Sequence, residues 1–447
     1  MTDPAPVQTR AMKTLLFASL WLPLAAVITP AADWPHWRGP AFNGTSPATN
    51  LPVTFSPTNN VRWTAEMPGP SAATPIVSGN RVFLSTTDAR ERKLLALAFD
   101  RATGREVWRR EIGPGFARDD RSNYASPSPV TDGRRVIFLY GNGEIAAFDF
   151  AGEKLWARNL EKDYGAWAML WTYGASPVLV DGKVIVQVLM RDVPVQGRGR
   201  ADGPNESYLL ALNPANGKEV WRVIRPSEAR AESLESFASP IPSHWQDRHE
   251  LLVAGGDCLS GHDVATGQEL WRWGTWNPTR IGHWRIVPSP VAVGDLAVIP
   301  APKGAPVYAV KLGGNGQLPE AALAWSSSER EVSSDVSTPA YYQGRLYVLN
   351  SDRKTLARVD PATGKADWIA ELDSRPKFES SPTAADGKLY FQNHAGEVFV
   401  VAAGPEFKLL HRVMMGDSGD RDTRASIAVR DGQLFIRTAG RLFCVGE

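Results

Sequence analysis

The reactive side chains of this 447-residue chain do not assemble into a catalytic set along the sequence. Gly416-Asp417-Ser418-Gly419 has the look of an acyl-transfer nucleophile, but it lacks a recognisable histidine-bearing partner segment and sits among repeats, so it reads as a loop. Asp417, Asp420 and Asp422 offer oxygens without the spaced ligands and closing Glu of a calcium loop, and a solvated loop is expected. Gly197-Arg198-Gly199 with Gly203 has no strand, turn and helix around it and reads as a flexible insert. The seven His show no zinc spacing, His244 and His249 being the nearest pair. No metal site and no nucleophile paired with a base is therefore expected.

Binding chemistry is better represented. Trp167, Trp171 and Tyr173 fall in one connecting segment, Trp276, Trp284 and Arg285 in another, and Arg191 to Glu206 forms a long insert. These aromatics either form a recognition rim for a protein, peptide or polysaccharide, or pack the loops that carry them. A second set comprises Glu235, Asp335, Glu379 and Arg424, each just ahead of a recurring Ser/Thr-Pro step. Such residues should ring the mouth of a channel, where mixed charges bind a polar ligand or pair with one another.

The elements that must position them repeat. Thr74-Pro75, Ser126-Pro127, Ser176-Pro177, Ser239-Pro240, Ser289-Pro290, Thr338-Pro339 and Ser381-Pro382 open seven segments, and Ser426-Ile427 opens an eighth. Most continue through a turn Gly into alternating apolar strands such as Leu346-Tyr347-Val348. The second half of the unit is clearest in Asp100-Arg-Ala-Thr-Gly104-Arg-Glu-Val-Trp108, Asp263 to Trp271 and Asp360 to Trp368. There the Asp side chain can cap turn amides and the Gly can supply the positive φ of a bulged hairpin. Small residues Ala98, Ala147, Ala211 and Gly261 precede these turns, and Trp63, Trp108, Trp156, Trp221, Trp271, Trp325 and Trp368 end their units, with His411 in the eighth place. Each Trp is expected to fill the space between adjacent blades. The expected fold is all-β: an eight-bladed β-propeller of four-stranded antiparallel blades over residues 33–447. The last segment supplies only three strands, so residues 51–67, through Val61-Arg62-Trp63, should complete the eighth blade and remove its open edge.

Composition agrees with a turn-rich globular chain: 43% hydrophobic and 22% charged residues, 39 Gly and 34 Pro. A net charge of +1 with interspersed signs argues against a nucleic-acid partner. Met12-Lys13 precedes an apolar run from Leu15 to Ile28 and small residues Ala31 and Ala32. Residues 1–32 therefore read as a secretory signal, with Met12 as an alternative start, and the mature chain as exported to the periplasm or beyond without a transmembrane segment. Cys258 and Cys444 fall in blades four and eight, too far apart for a disulfide, and are expected as buried thiols.

The repeats resemble the PQQ-like, quinoprotein alcohol dehydrogenase-like propeller family, and Trp34-Pro-His-Trp-Arg38-Gly39-Pro40 looks like the opening of its exported bacterial members. That resemblance spans about residues 34–447 and implies the propeller fold. It implies two kinds of activity, since the repeat serves both quinoprotein dehydrogenases and non-catalytic propellers such as the outer-membrane assembly factor BamB. In the dehydrogenases pyrroloquinoline quinone (PQQ) and calcium occupy the central channel; here Glu379, Asp335 and Arg424 would be the metal and carboxylate contacts. The two Cys cannot form the neighbour pair that many alcohol-oxidising members carry, and there is no Cys-x-x-Cys-His haem site. The expectation is therefore a binding or assembly scaffold with no cofactor, a small PQQ- and calcium-dependent oxidoreductase of alcohols or sugars being the alternative.

Overall fold

The computed structural model describes residues 1–5, 33–116, 119, 121–274 and 276–446. The signal expected over residues 1–32 lies almost wholly outside the described residues. Residues 33–446 build eight antiparallel sheets, each a blade. Blade 1 comprises Ile76–Ser78, Arg81–Asp88, Lys93–Asp100 and Glu106–Pro114, and the pattern recurs to blade 7, which ends with Leu409–Met414. Blade 8 takes Ala428–Arg430, Gln433–Arg437 and Arg441–Val445 from the end of the chain and Val61–Glu66 from its beginning. Val61 pairs with Val445 and Trp63 with Cys444. Joining the two ends of the repeat in one sheet leaves no blade short of a strand, the closure expected for residues 51–67.

The third-to-fourth strand turns of blades 1 to 4 and 6 follow the turn chemistry read from the sequence. Asp100 Oδ1 accepts the backbone N–H of Ala102 and Thr103, and Gly104 closes the turn at φ +70°. A bulge then shifts register beside the Trp, between Ala98 and Phe99 in blade 1 and at the same point in blades 2 to 7. Bulges raise local twist, here at the point where the indole turns toward the next blade. Trp108 Nε1 donates to Phe150 O of blade 2 at 3.2 Å, Trp156 to Pro214 O at 2.8 Å and Trp325 to Pro361 O at 2.8 Å. Trp63, Trp221 and Trp368 do the same to Arg101, Val264 and Gly404, and His411 Nε2 lies 2.8 Å from Phe55 O. The small residues face these indoles across their own sheet: Ala98 pairs with Trp108, Ala147 with Trp156 and Cys444 with Trp63.

Two details depart from the expected register. In blade 2 the step that occupies the common position is Ser128-Pro129, not Ser126-Pro127: Ser128 stands two residues before the inner strand Val130–Thr131, as Ser176 does before Val178–Val180. Tandem Ser-Pro steps made the two frames alike in sequence; pairing with the neighbouring blades selects one. In blade 4, Trp271 does not bridge to blade 5. It folds back over Gly261 and donates to Glu250 Oε2 at 2.7 Å, while Trp245 takes the contact with Gly313 of blade 5. An added strand, Gly316–Leu318, runs parallel to the outer strand of blade 4 and covers its edge.

The core lies between blades. One apolar cluster joins Phe83, Leu94 and Trp108 of blade 1 to Val136, Phe138 and Phe148 of blade 2, and another joins Val298, Ala309 and Trp325 of blade 5 to Leu346, Val348 and Ala357 of blade 6. Among the described residues no helix is long and apolar enough to cross a membrane.

Candidate functional site

The inner strands surround a channel, and the Ser/Thr of each step encircles it. The backbone N–H of Thr74 donates to Ser128 Oγ, Ser128 to Ser176, Ser176 to Ser239, Ser239 to Ser289, Ser289 to Thr338, Thr338 to Ser381, Ser381 to Ser426, and Ser426 to Thr74 Oγ1. The distances run from 2.8 Å (Ser239 to Ser289) to 3.1 Å (Ser426 to Thr74). The amide preceding each step's Pro or Ile has no strand partner at this radius, so a hydroxyl one residue type wide supplies it. That requirement is why only Ser and Thr occupy the position.

One end of the channel is floored by the chain before blade 8. Trp34 bridges Val77 of blade 1, Thr131 N of blade 2 donates to Pro35 O, and Gly44 O and Asn43 O accept from Ala384 and Tyr341 on the far side. Between these anchors the buried Arg38 guanidinium donates to Pro339 O at 2.5 Å and Pro382 O at 3.0 Å. Burial lowers the Arg38 pKa to about 9. Beside it Trp37 lines the channel, its ring 5.3 Å from the Arg38 guanidinium. Thus Trp34 to Arg38, legible as a family lead, is the floor of the cavity.

The other end opens between the loops that join blades and those that join second to third strands. The cavity there is about 340 Å³. Of the expected mouth residues, Glu379 and Arg424 line it and bind each other, Arg424 Nε to Glu379 Oε2, at 2.8 Å. His394 Nε2 lies 2.9 Å from the same oxygen. Burial alone would raise the Glu379 pKa, but His394 and Arg424 hold it down to about 2. Asp335 instead accepts from Lys303 N on a neighbouring loop, and Glu235 is fully buried behind the wall, 2.5 Å from Arg191 Nε and accepting from Leu170 N. Burial raises the Glu235 pKa despite Arg191.

The expected rim residues also divide. Trp167, Tyr173 and Trp276 are buried: Trp167 lies 4.5 Å from Tyr173, centroid to centroid, and donates to Tyr208 Oη, and Tyr173 Oη donates to Gln187 O. They brace the loops from inside. Trp284 is partly buried against the blade 4–5 core. Trp171 and Arg285 line the mouth. Trp171 Nε1 donates to Glu232 at 3.0 Å, Arg285 binds the same carboxylate oxygen at 3.0 Å, and the guanidinium carbons of Arg121 and Arg285 stand 5.2 and 5.9 Å from the Trp171 ring centre. This is a prearranged cluster of one indole and two guanidinium groups. Arg121, Lys377, His394 and Trp37 belong to the lining but carry no repeat signature. Lys377 stands two residues before Glu379, a proximity that could have flagged it; His394 arrives from a second-to-third strand turn and needed the fold.

A family model described as outer membrane protein assembly factor BamB matches residues 51–190 and 319–446. The outer membrane protein assembly factor BamB of Shewanella oneidensis is 22% identical over 362 residues, 74% of this chain and 84% of that protein. An uncharacterized protein of Rickettsia prowazekii is 22% identical over 264 residues, 55% of this chain and 62% of that one. Among solved structures, BamB from Moraxella catarrhalis aligns at TM-score 0.57 and 12% identity over 87% of this chain and 99% of its own. A europium-containing methanol dehydrogenase aligns at TM-score 0.66 and 12% identity, covering 93% and 98%. The quinohemoprotein alcohol dehydrogenase of Comamonas testosteroni aligns at 0.63 and 13%, covering 94% and 81%. At such identities the structural likeness concerns the fold alone.

Proposed function

The chain belongs to the family described as outer membrane protein assembly factor BamB, and from that premise we propose that it is an exported, non-catalytic binding scaffold whose loop-bearing face grips a protein, peptide or polysaccharide. The observation that carries this reading is the Trp171, Arg121 and Arg285 cluster at the open end of the channel. Trp and Arg are the side chains that most often anchor protein interfaces, because a fixed indole or guanidinium buries much area at little entropic cost. Glu232, touching both Trp171 and Arg285, fixes them before any partner arrives. A protein partner is favoured over a polysaccharide because the cluster pairs an indole with charge rather than stacking open aromatic faces.

A calcium-bridged quinone fits the lining less well. Calcium takes about six to eight oxygen ligands, usually with several carboxylates. Among the described residues no group of three or more His, Cys, Asp or Glu is gathered to hold a metal, and Glu379 already faces Arg424 and His394. Asp335, the other carboxylate expected to serve, is turned to Lys303 N. No oxidation step is assigned to these residues.

The test sets exported wild-type protein beside a Trp171→Ala, Arg285→Ala double variant of unchanged melting temperature, against fractionated envelope proteins and polysaccharides. Saturable binding lost in the variant is expected. Dye reduction on adding PQQ, calcium and an alcohol or sugar would replace the scaffold with the oxidoreductase.

A further inference from the structure

The loop face accounts for Trp171 but not for the cavity beneath it, whose wall chemistry is one-sided. On the blade 2 to 5 side it presents Arg121 and Arg285; on the blade 6 to 8 side, Lys377, Arg424 and His394. Against them, among the described residues, stands a single lining carboxylate, Glu379. The acids that pair with the remaining cations, Glu232 on Arg285, Asp352 on Lys377 and Asp422 on Arg424, are absent from the lining. Arg121 has no carboxylate partner among the described residues, its guanidinium resting on Trp171. At the floor the Trp37 indole closes the lining, its Nε1 enclosed by protein. The belt hydroxyls between floor and mouth already accept backbone N–H groups, so they leave the walls polar without adding charge.

We propose that this cavity binds a ligand bearing two or more carboxylates, held above the Trp37 indole between Arg121 and Arg285 on one side and Lys377 and Arg424 on the other. Guanidinium groups match carboxylates as bidentate donors, and each retains N–H groups beyond those used by its protein partner. The cavity volume, about 340 Å³, suits a small di- or tricarboxylate or the acidic end of a peptide. No metal is needed, because the wall itself neutralises the charge. The proposal deepens the scaffold reading by naming what enters the open end, and it rests on that end being the working face.

Calorimetric titration of the full mature protein with citrate and, separately, with a hexaglutamate peptide distinguishes the sources. Citrate binding alone assigns a free small acid; tighter peptide binding assigns the acidic segment of a partner. Either should weaken with added salt. Arg121→Ala should weaken binding about tenfold, whereas Glu379→Gln, which removes the opposing charge, should tighten it. Absence of millimolar or better binding by both probes at low salt overturns the proposal, as does citrate affinity indifferent to Arg121→Ala and Glu379→Gln. Partner binding by the loop face with no citrate or peptide binding would sink this inference and leave the scaffold standing. The melting temperature of each variant is measured alongside, and Arg121→Ala, on an exposed side chain, keeps the test valid if Glu379→Gln fails to fold.

Discussion

The backbone N–H of Ser426 donates to Thr74 Oγ1 at 3.1 Å across 352 positions of sequence. That bond closes the belt of hydroxyls around the channel, so the first and eighth blades are joined at the inner radius as well as through the outer strand Val61–Glu66. Ring closure is thus made twice, by a side chain near the axis and by a strand at the rim.

The belt gives a direct test of blade 2 register. Ser128→Ala leaves the buried Thr74 N–H without its acceptor and should cost about 1–3 kcal/mol in denaturant unfolding. Ser126→Ala removes a hydroxyl that donates to Asn123 O within its own loop and should cost less. A larger loss for Ser126→Ala would refute the assigned frame.

Outer closure should be equally measurable. Trp63 is buried against Gly104 and donates to Arg101 O at 2.8 Å, so Trp63→Ala should destabilise the protein by about 3–5 kcal/mol. Deleting residues 51–67 should lower the melting temperature further, since it strips blade 8 of its fourth strand. An unchanged melting temperature would disprove this closure.

Blade 4 predicts a site-specific intolerance. A Cβ at Gly261 would stand 2.1 Å from Trp271 Nε1, so Gly261→Ala must evict the indole from Glu250 and should cost about 1–3 kcal/mol. The same change cannot be harmful in blades 1 to 3, where Ala98, Ala147 and Ala211 already hold the position. A Gly261→Ala variant as stable as wild type would mean Trp271 is not folded back.

Acid should weaken the fold from near neutrality. Burial lowers the His36 pKa to about 3 and the His262 pKa to about 4, from 6.5. Below pH 6.5 the unfolded chain binds protons that the folded chain refuses, so stability falls as pH drops from 6.5 toward 4. Above 6.5 both states are neutral at these sites and the effect vanishes. Denaturant unfolding at stepped pH should show this slope, flattened in His262→Gln; an identical slope would remove His262 from the account.

Both cysteines should resist labelling. Cys258 and Cys444 are free and buried, and burial pushes the Cys444 thiol up to about 12. A thiol-reactive reagent should add nothing rapidly to native protein and two groups after denaturation, read by intact mass.

Much of the fold was readable because the propeller is a local code written eight times. Asp100 to Trp108 specifies a turn, a bulge and an indole within nine residues, and the forces that read it act over a few bonds. The code failed where two local solutions were degenerate: Ser126-Pro127 and Ser128-Pro129 are chemically the same step, and Trp271 satisfies the motif as well as Trp368 does. Only contact with the next blade chooses between them.

The site was less legible for the same reason. Glu379 and Arg424, expected ahead of the steps, and Trp171 and Arg285, expected in connecting loops, line the cavity, yet Trp167, Tyr173 and Trp276, equally aromatic and equally placed in connecting loops, are buried. Whether a loop side chain faces in or out depends on the path of the whole loop. Trp37, Arg121 and His394 meet at one cavity from three separate parts of the chain.

The amino-acid sequence alone therefore determined the eightfold repeat, its turns and the strand exchange that closes it, because short-range backbone and packing rules suffice for each. Tertiary structure decided which hydroxyls form the belt, that the Trp34 to Arg38 segment floors the channel, and that Arg121, Arg285, Lys377 and Arg424 meet at one cavity. Those outcomes rest on which surfaces meet across the ring, and loop closure brings together residues whose spacing along the chain carries no trace of the encounter.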